Sequence, residues 1–121
     1  MKPPAPNGRY ADAPALSKAL QAAHLACTHY QEDARHPDAQ SQGRCLVRGV
    51  SVRLAVYASD WELNHQVSAM QSKPQTAGYH WFVAGKNWTV DCDIYQPIAE
   101  VIANRLKGVV IAIPPSPAPS H

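Results

Sequence analysis

The stretch YHWFVAGKNWTVDCD, residues 79–93, decides the fold that the sequence predicts. Its aromatic and β-branched residues favour strands, so it predicts two short antiparallel strands joined by a turn at residues 85–86. In a hairpin centred there, His80 and Asp91 are close cross-strand partners, about 5 Å apart at Cβ. A carboxylate beside an imidazole fixes the ring's tautomer and orientation, so the hairpin predicts an oriented base. Asp93, two residues further along, is expected on the same face of the strand as Asp91 and is the alternative orienting residue.

Composition limits the classes of protein to consider. The chain has 121 residues and a formal net charge of +2, with Lys and Arg scattered, so we expect one small domain and neither a nucleic-acid nor a membrane partner. The N-terminal residues lack the apolar core of a secretory signal. Three cysteines, an odd number, argue against a disulfide framework. We therefore expect a cytoplasmic protein, with signal-independent secretion as the other route, and no cofactor.

Proline content sets the expected domain limits. Residues 1–11 are Pro-rich and are predicted to be disordered, and residues 114–121 form a Pro-rich tail predicted to be mobile. Residues 12–113 are then a single α+β domain. Its expected architecture is an antiparallel sheet of about three to five strands packed with two or three helices.

Four further elements follow from periodicity and from helix-start and helix-stop residues. A helix is predicted over residues 12–34, with Asp12 as its cap. Residues 61–69 alternate apolar and polar side chains, which predicts a half-buried strand. A second helix starts near Pro97 and stops at Gly108, and residues 109–113 form a last short strand.

The segment of residues 44–59 fits two secondary structures. As a helix, it places Val47, Val50 and Leu54 on one stripe. As a strand, it alternates apolar and polar residues, and its β-branched content favours this assignment. The local pattern leaves both open, whereas a catalytic role for Cys45 requires a helix in the first half.

Cys45 is the candidate nucleophile for the oriented base. If Gly43 leads into a helix, Cys45 lies in the first turn, where unpaired backbone N–H groups stabilise a thiolate. His80 would take the thiol proton and later protonate the leaving group, while Asp91 would hold the imidazole ring. Taken alone, each of these residues has an ordinary structural explanation, as a core thiol or as a surface hairpin pair.

The motifs around these residues resemble those of a known superfamily. The predicted hairpin resembles the His-x-Trp … Trp-x-x-Asp hairpin of transglutaminase-like and papain-like cysteine proteins, in residues 80–83, 85–86 and 88–91. The start of their Cys-bearing helix is similar to residues 43–48. The resemblance implies a papain/transglutaminase-like core with Cys45 as nucleophile, His80 as base and Asp91 as orienting residue. It also suggests further roles: Gln42 or Gln40 as oxyanion donor, and Trp81 and Trp88 as aromatics flanking the substrate.

This resemblance implies cysteine-dependent amide or acyl chemistry on a protein or peptide. The reaction would be peptide hydrolysis, deamidation or acyl transfer through an acyl-enzyme. Small bacterial members of the superfamily include peptidases and papain-fold toxins, so the resemblance also implies a role as a delivered effector or toxin.

The alternative is a non-catalytic α+β protein-binding module, such as an immunity protein, a secretion chaperone or an adaptor. Residues 46–57 would then be a long strand, and Cys45 a core or edge thiol. The binding face would be an exposed aromatic patch around Trp61, Trp81 and Trp88. A zinc site, which would draw on Cys45 and His80 with Cys92 and His65, lacks paired ligand spacing, so no metal is expected.

Overall fold

Six strands and three helices occur within the residues that the computed structural model describes, which are 9–33, 39–72 and 78–114. The expected α+β class is confirmed, with one strand more than the sequence predicted. The elements, in chain order, are α1 (Ala13–Ala22), β1 (Cys27–Glu32), β2 (Ser41–Val47), β3 (Val50–Val56), α2 (Asp60–Ser72), β4 (His80–Ala84), β5 (Trp88–Asp91), α3 (Gln96–Leu106) and β6 (Val109–Ile113).

All six strands belong to one antiparallel sheet in the order β1-β2-β3-β5-β4-β6. Helices α1 and α3 pack on one face, which we call the core face. Its apolar cluster joins Leu16 and Ile102 of these helices to Leu54 and Val90 of the sheet. Helix α2 lies on the opposite face, which we call the α2 face, where Leu63 contacts the sheet.

Helix α2 occupies residues for which the sequence predicted a strand at 61–69. The alternation there was misleading, because only Leu63 of this helix is fully buried. The correct signal is the sequence Ser-Asp-Trp-Glu at residues 59–62, which has the capping-box spacing. The Ser59 hydroxyl accepts a hydrogen bond from the Glu62 N–H at 3.2 Å, and two acidic residues occupy the first turn, where the helix dipole favours them.

The ambiguous segment forms neither a helix nor one long strand. It belongs to two strands, β2 and β3, joined at Arg48 and Gly49, whose φ angles are +52° and +81°. Two consecutive residues with positive φ form the tight turn whose twist matches a hairpin, and glycine adopts that conformation without steric cost. Val47 and Val50 are consequently paired directly across the turn.

Helix α1 begins as predicted, since the Asp12 carboxylate accepts a hydrogen bond from the Ala15 N–H at 2.9 Å. It ends at Ala22 rather than at residue 34, because His24 adopts a left-handed conformation with φ +66°. Residues beyond that turn, predicted to be helical, enter β1 instead.

Cys27 and Cys45 form a disulfide between β1 and β2, with their Cα atoms 5.3 Å apart. The expectation that the chain contains no disulfide was therefore wrong. Its basis was the odd number of cysteines, and the leftover one, Cys92, is a free thiol buried in the core.

The C-terminal half follows the sequence closely. The predicted hairpin is β4 and β5, and α3 and β6 occupy the expected residues. Gly85 is required in the turn, because a Cβ atom there would lie 2.0 Å from the Trp88 ring. The register differs by two residues from a turn centred on residues 85–86: Phe82, rather than His80, is opposite Asp91.

The N-terminal segment is attached to the sheet before α1 begins. Tyr10, which was expected in the disordered segment, is buried, and its N–H donates to the Asn87 Oδ1 atom at 3.0 Å. Residues 1–8 and 115–121, which include most of the predicted disordered segment and nearly all of the predicted tail, lie outside the described residues. Within the described ranges, no helix is long and apolar enough to cross a membrane.

Candidate functional site

His80 and Asp91 are in contact on the α2 face of the sheet. His80 Nε2 lies 2.7 Å from Asp91 Oδ1, and the two side chains are 23% and 27% exposed. The predicted pairing is confirmed, although the residues are diagonal neighbours rather than directly opposite. Diagonal neighbours on one face remain within reach of a long or aromatic side chain. The hydrogen bond therefore holds the imidazole in one orientation.

Asp93 completes this arrangement on the other side of the ring. Its Oδ1 lies 3.8 Å from His80 Nδ1, and its N–H donates to Asp91 Oδ1 at 2.9 Å. The chain turns sharply there, since Asp93 has a φ of +56° and its carbonyl accepts a hydrogen bond from the Trp81 N–H at 2.7 Å. Both candidate orienting residues thus face the same imidazole.

Cys45 does not join this pair, so its assignment as the nucleophile was wrong. It lies in strand β2 rather than in the first turn of a helix, its side chain is 3% exposed, and its sulfur is bonded to that of Cys27. A disulfide sulfur has no thiolate to offer, and a strand provides no helix N-terminus to stabilise one.

The sheet geometry also separates Cys45 from His80. Cys45 pairs with Val52 in the core cluster, while the next residue of β3, Arg53, pairs with Asp91. Because successive side chains alternate between faces, Cys45 and Asp91 project to opposite sides. Strands β2 and β4 are also three positions apart, or about 14 Å at the usual strand spacing. No side-chain rotation closes that gap.

The remaining residues assigned by resemblance are dispersed. The Gln40 side chain donates to the Ala11 carbonyl at 3.2 Å, and Gln42 lines a cavity on the α2 face, so neither serves Cys45 as an oxyanion donor. Trp88 is 1% exposed in the core, and Trp81 packs against the same core cluster, on the face opposite His80. Neither tryptophan flanks the histidine.

The predicted patch of three tryptophans does not exist for the same reason. Only Trp61 is exposed, at 69%. Its ring stacks on that of His65, one helical turn further along α2, with centroids 4.9 Å apart. The exposed aromatic surface on the α2 face is therefore this stacked pair.

A cavity of about 290 Å³ adjoins the His80–Asp91 pair. Two arginines form part of its wall. They were not predicted as site residues, because they become neighbours only when the turn at Gly49 pairs β2 with β3. Its lining residues are Arg44, Ser51, Val52, Arg53, His80, Asp91 and Asp93.

Two further cavities adjoin this one in a row, and α2 residues line both of them. The second, of about 190 Å³, shares Arg53 and Asp91 with the first. The third, of about 400 Å³, shares Ala39 and Gln66 with the second and ends at the Trp61–His65 pair. We call the three together the α2 groove; its central part is lined by Ala39, Gln42, Arg53, Ala55, Tyr57, Gln66, Met70, Thr89 and Asp91.

Cys92 is not a reactive alternative to Cys45. Its side chain is fully buried, and its thiol donates to the Val90 carbonyl with 3.8 Å between sulfur and oxygen. Burial first, and the Asp91 carboxylate second, raise the pKa of this thiol to about 12. Nor do residues 9–33, 39–72 and 78–114 contain a group of three or more His, Cys, Asp or Glu side chains suited to a metal ion.

No protein-family model, curated protein or solved structure matches this chain. The superfamily resemblance of the short motifs therefore stays a prediction.

Proposed function

We propose that the protein is a non-catalytic protein-binding module that holds an extended polypeptide segment in the α2 groove. Secretion chaperones, immunity proteins and adaptors are modules of this kind. The observation that carries the proposal is the row of three adjacent cavities, in which each shares two lining residues with the next. A row of adjacent cavities suits an extended chain, whereas a small ligand binds in one concave pocket.

The groove offers both kinds of contact that such a segment needs. Met70, which is partly exposed, provides apolar surface in the middle, and Trp61 provides an exposed aromatic ring at one end. Methionine and aromatic side chains are common at adaptable binding surfaces because they fill irregular gaps and bury large areas. Arg53 and His80 provide hydrogen-bonding groups at the other end.

The surroundings of His80 support binding rather than covalent catalysis. Among the described residues, its ring contacts two carboxylates, and no thiol or hydroxyl group hydrogen-bonds to it. Nucleophilic catalysis needs such a group within hydrogen-bond reach of the base. With Cys45 in a disulfide on the other face, the oriented imidazole is a fixed polar contact for the bound segment.

We also propose that the protein works in an oxidising compartment, rather than in the cytoplasm as expected from the sequence. The Cys27–Cys45 disulfide supports this location, because cytosolic reductants keep most thiols reduced. Trapping the thiols of the protein with a maleimide in its native cells tests this directly. One reactive cysteine per unfolded chain is the expected result, and three would contradict it.

The binding proposal is tested by selecting peptides of about twelve residues from a display library on the oxidised protein. Selected peptides should shift the NMR signals of groove residues and leave those of the core-face helices unchanged. Mass spectrometry of the recovered peptides should find them intact. Cleaved, deamidated or covalently attached peptides would contradict a non-catalytic module.

A pair of matched substitutions identifies the binding surface. Trp61→Ala removes an exposed ring at one end of the groove, and we expect it to weaken binding about tenfold, as loss of an aromatic anchor does. Tyr79→Ala removes a ring that is 50% exposed and lies outside all three cavities. Equal losses from both variants would show that the peptides do not use the groove.

A further inference from the structure

We propose that Arg44 and Arg53 form a carboxylate-binding subsite at the His80 end of the α2 groove. This inference rests on the proposed function and names the chemistry of the bound segment: an Asp or Glu side chain enters the cavity of about 290 Å³ and bridges the two guanidinium groups. The segment is therefore selected by one acidic residue at a fixed position.

The first observation is the direct opposition of two positive charges. Arg44 of β2 and Arg53 of β3 are cross-strand partners on the α2 face, which places their Cβ atoms about 5 Å apart. Like charges at such positions destabilise a sheet. On its other side, Arg44 pairs with the uncharged Gln31 of β1, so no negative charge lies directly opposite Arg44 there.

The second observation is that the carboxylate nearest in register is already engaged. Asp91 is the direct partner of Arg53 on β5, yet its Oδ1 atom is bound by His80 Nε2 and by the Asp93 N–H. Neither arginine forms an ion pair with a carboxylate of residues 9–33, 39–72 or 78–114. Two cross-strand arginines that line one cavity are thus available to an external anion.

The distribution of charge in the cavity limits the ligand to one acidic group. The arginines lie on β2 and β3, whereas Asp91 and Asp93 lie at the end of β5 and just beyond it, so the cavity has a positive wall and a negative wall. Guanidinium groups bind a carboxylate in a planar, bidentate fashion. A second acidic side chain placed opposite the first would meet Asp93, whose side chain is 65% exposed.

The test uses two acetylated and amidated pentapeptides, Leu-Glu-Leu-Ser-Leu and Leu-Gln-Leu-Ser-Leu, titrated into the full-length oxidised protein. The Nε–Hε NMR signals of Arg44 and Arg53 report contact with the carboxylate. We expect both signals to move with the Glu peptide and its affinity to exceed that of the Gln peptide about tenfold, the effect of one charge-assisted hydrogen bond. Equal affinities would overturn the subsite.

Two charge-matched variants locate the effect. Arg53→Gln should reduce the preference for Glu about tenfold, whereas Arg48→Gln, at the exposed turn between the same two strands, should leave it unchanged. Relief of the repulsion should also give Arg44→Gln an equal or higher thermal midpoint. A variant that weakened both stability and binding would indicate a merely structural arginine.

Failure of the subsite and failure of the proposed function give different results. If display-selected peptides bind the groove without an acidic residue in common, the subsite is wrong and the binding module stands. If no display-selected peptide binds along the groove but the Glu pentapeptide still moves the Arg44 and Arg53 signals, the subsite stands and the binding of an extended segment is wrong. Binding of a phosphoserine version alone would overturn the carboxylate assignment.

Discussion

His80 and Asp91 are bonded at 2.7 Å although they are two residues out of register on neighbouring strands. The His80 side chain is long enough to span this offset along the strand. The Asp93 N–H donates to the Asp91 carboxylate and so holds it in place beside the imidazole. The contact therefore depends on the turn after β5 as well as on the hairpin.

Replacement of Asp91 by Asn should cost about 0.5–1 kcal/mol of unfolding free energy. The estimate is modest because both side chains of the pair are about a quarter exposed, so solvent screens the interaction. Urea unfolding at pH 7 measures the loss. Asp93→Asn is the matched control, since that side chain is 65% exposed and its closest ring contact is 3.8 Å, and it should have no measurable effect. Equal losses would show that the hydrogen bond is not the cause.

Loss of the disulfide should destabilise the domain by about 3 kcal/mol, the usual value for a loop of this size. The two cysteines are 18 residues apart and join two adjacent strands. The double variant Cys27→Ser, Cys45→Ser should show this loss in urea. Reductant should lower the stability of the natural chain by a similar amount and leave the variant unchanged. A reductant effect of equal size on the variant would point to another cause.

Alkylation should label Cys92 and neither Cys27 nor Cys45, whereas a catalytic Cys45 would be labelled first. With no reductant at pH 8, the native protein should take up no iodoacetamide, because Cys92 is buried and its pKa is raised to about 12. Unfolding in urea should then add one label, at Cys92, which peptide mapping locates. Early labelling of Cys45 would restore the thiolate hypothesis.

Tyr30 should contribute to unfolding in alkali. Burial, together with the charges of Glu32, Asp12 and Asp33, raises the pKa of Tyr30 to about 12, and its buried hydroxyl has no hydrogen-bond partner among the described residues. Since the folded state disfavours the ionised form, this contribution is complete below pH 10 and is lost as pH rises towards 12.

The variant Tyr30→Phe should therefore lose less stability than the natural chain between pH 10 and 12. At pH 7 it should be at least as stable, because it removes an unsatisfied polar group. Urea unfolding across this pH range measures the difference. Tyr95→Phe, at a ring that is 45% exposed, is the control and should follow the natural chain. A parallel fall for the Tyr30 variant would contradict the assignment.

The sequence predicted those parts of the fold that local rules determine. The hairpin was evident from its aromatic strands and Gly85, and α3 was evident from Pro97 and Gly108. By contrast, α2 was missed because alternation of apolar residues was given more weight than the capping box that starts at Ser59. Capping is a local hydrogen-bonding requirement, whereas a short alternating pattern also arises by chance on an exposed helix.

The site was half predictable, for a physical reason. The pairing of His80 with Asp91 depends on one short turn, so their separation along the chain limits their separation in space. Whether Cys45 faces them depends on strand order and on side-chain parity across β2, β3 and β5, which no local pattern determines. For the same reason, the sequence did not predict that Arg44 and Arg53 lie directly opposite each other on β2 and β3.

The side chain of Asn87 has a consequence for where the domain begins. It accepts a hydrogen bond from the Tyr10 N–H and donates to the carbonyls of Tyr10 and Tyr57, all in a buried position. A chain shortened to start at residue 12 would remove both bonds to Tyr10 and leave the Asn87 Oδ1 atom without that partner, at a cost of about 1–3 kcal/mol. The smallest fragment that folds stably therefore begins at or before Tyr10, two residues upstream of the first helix cap.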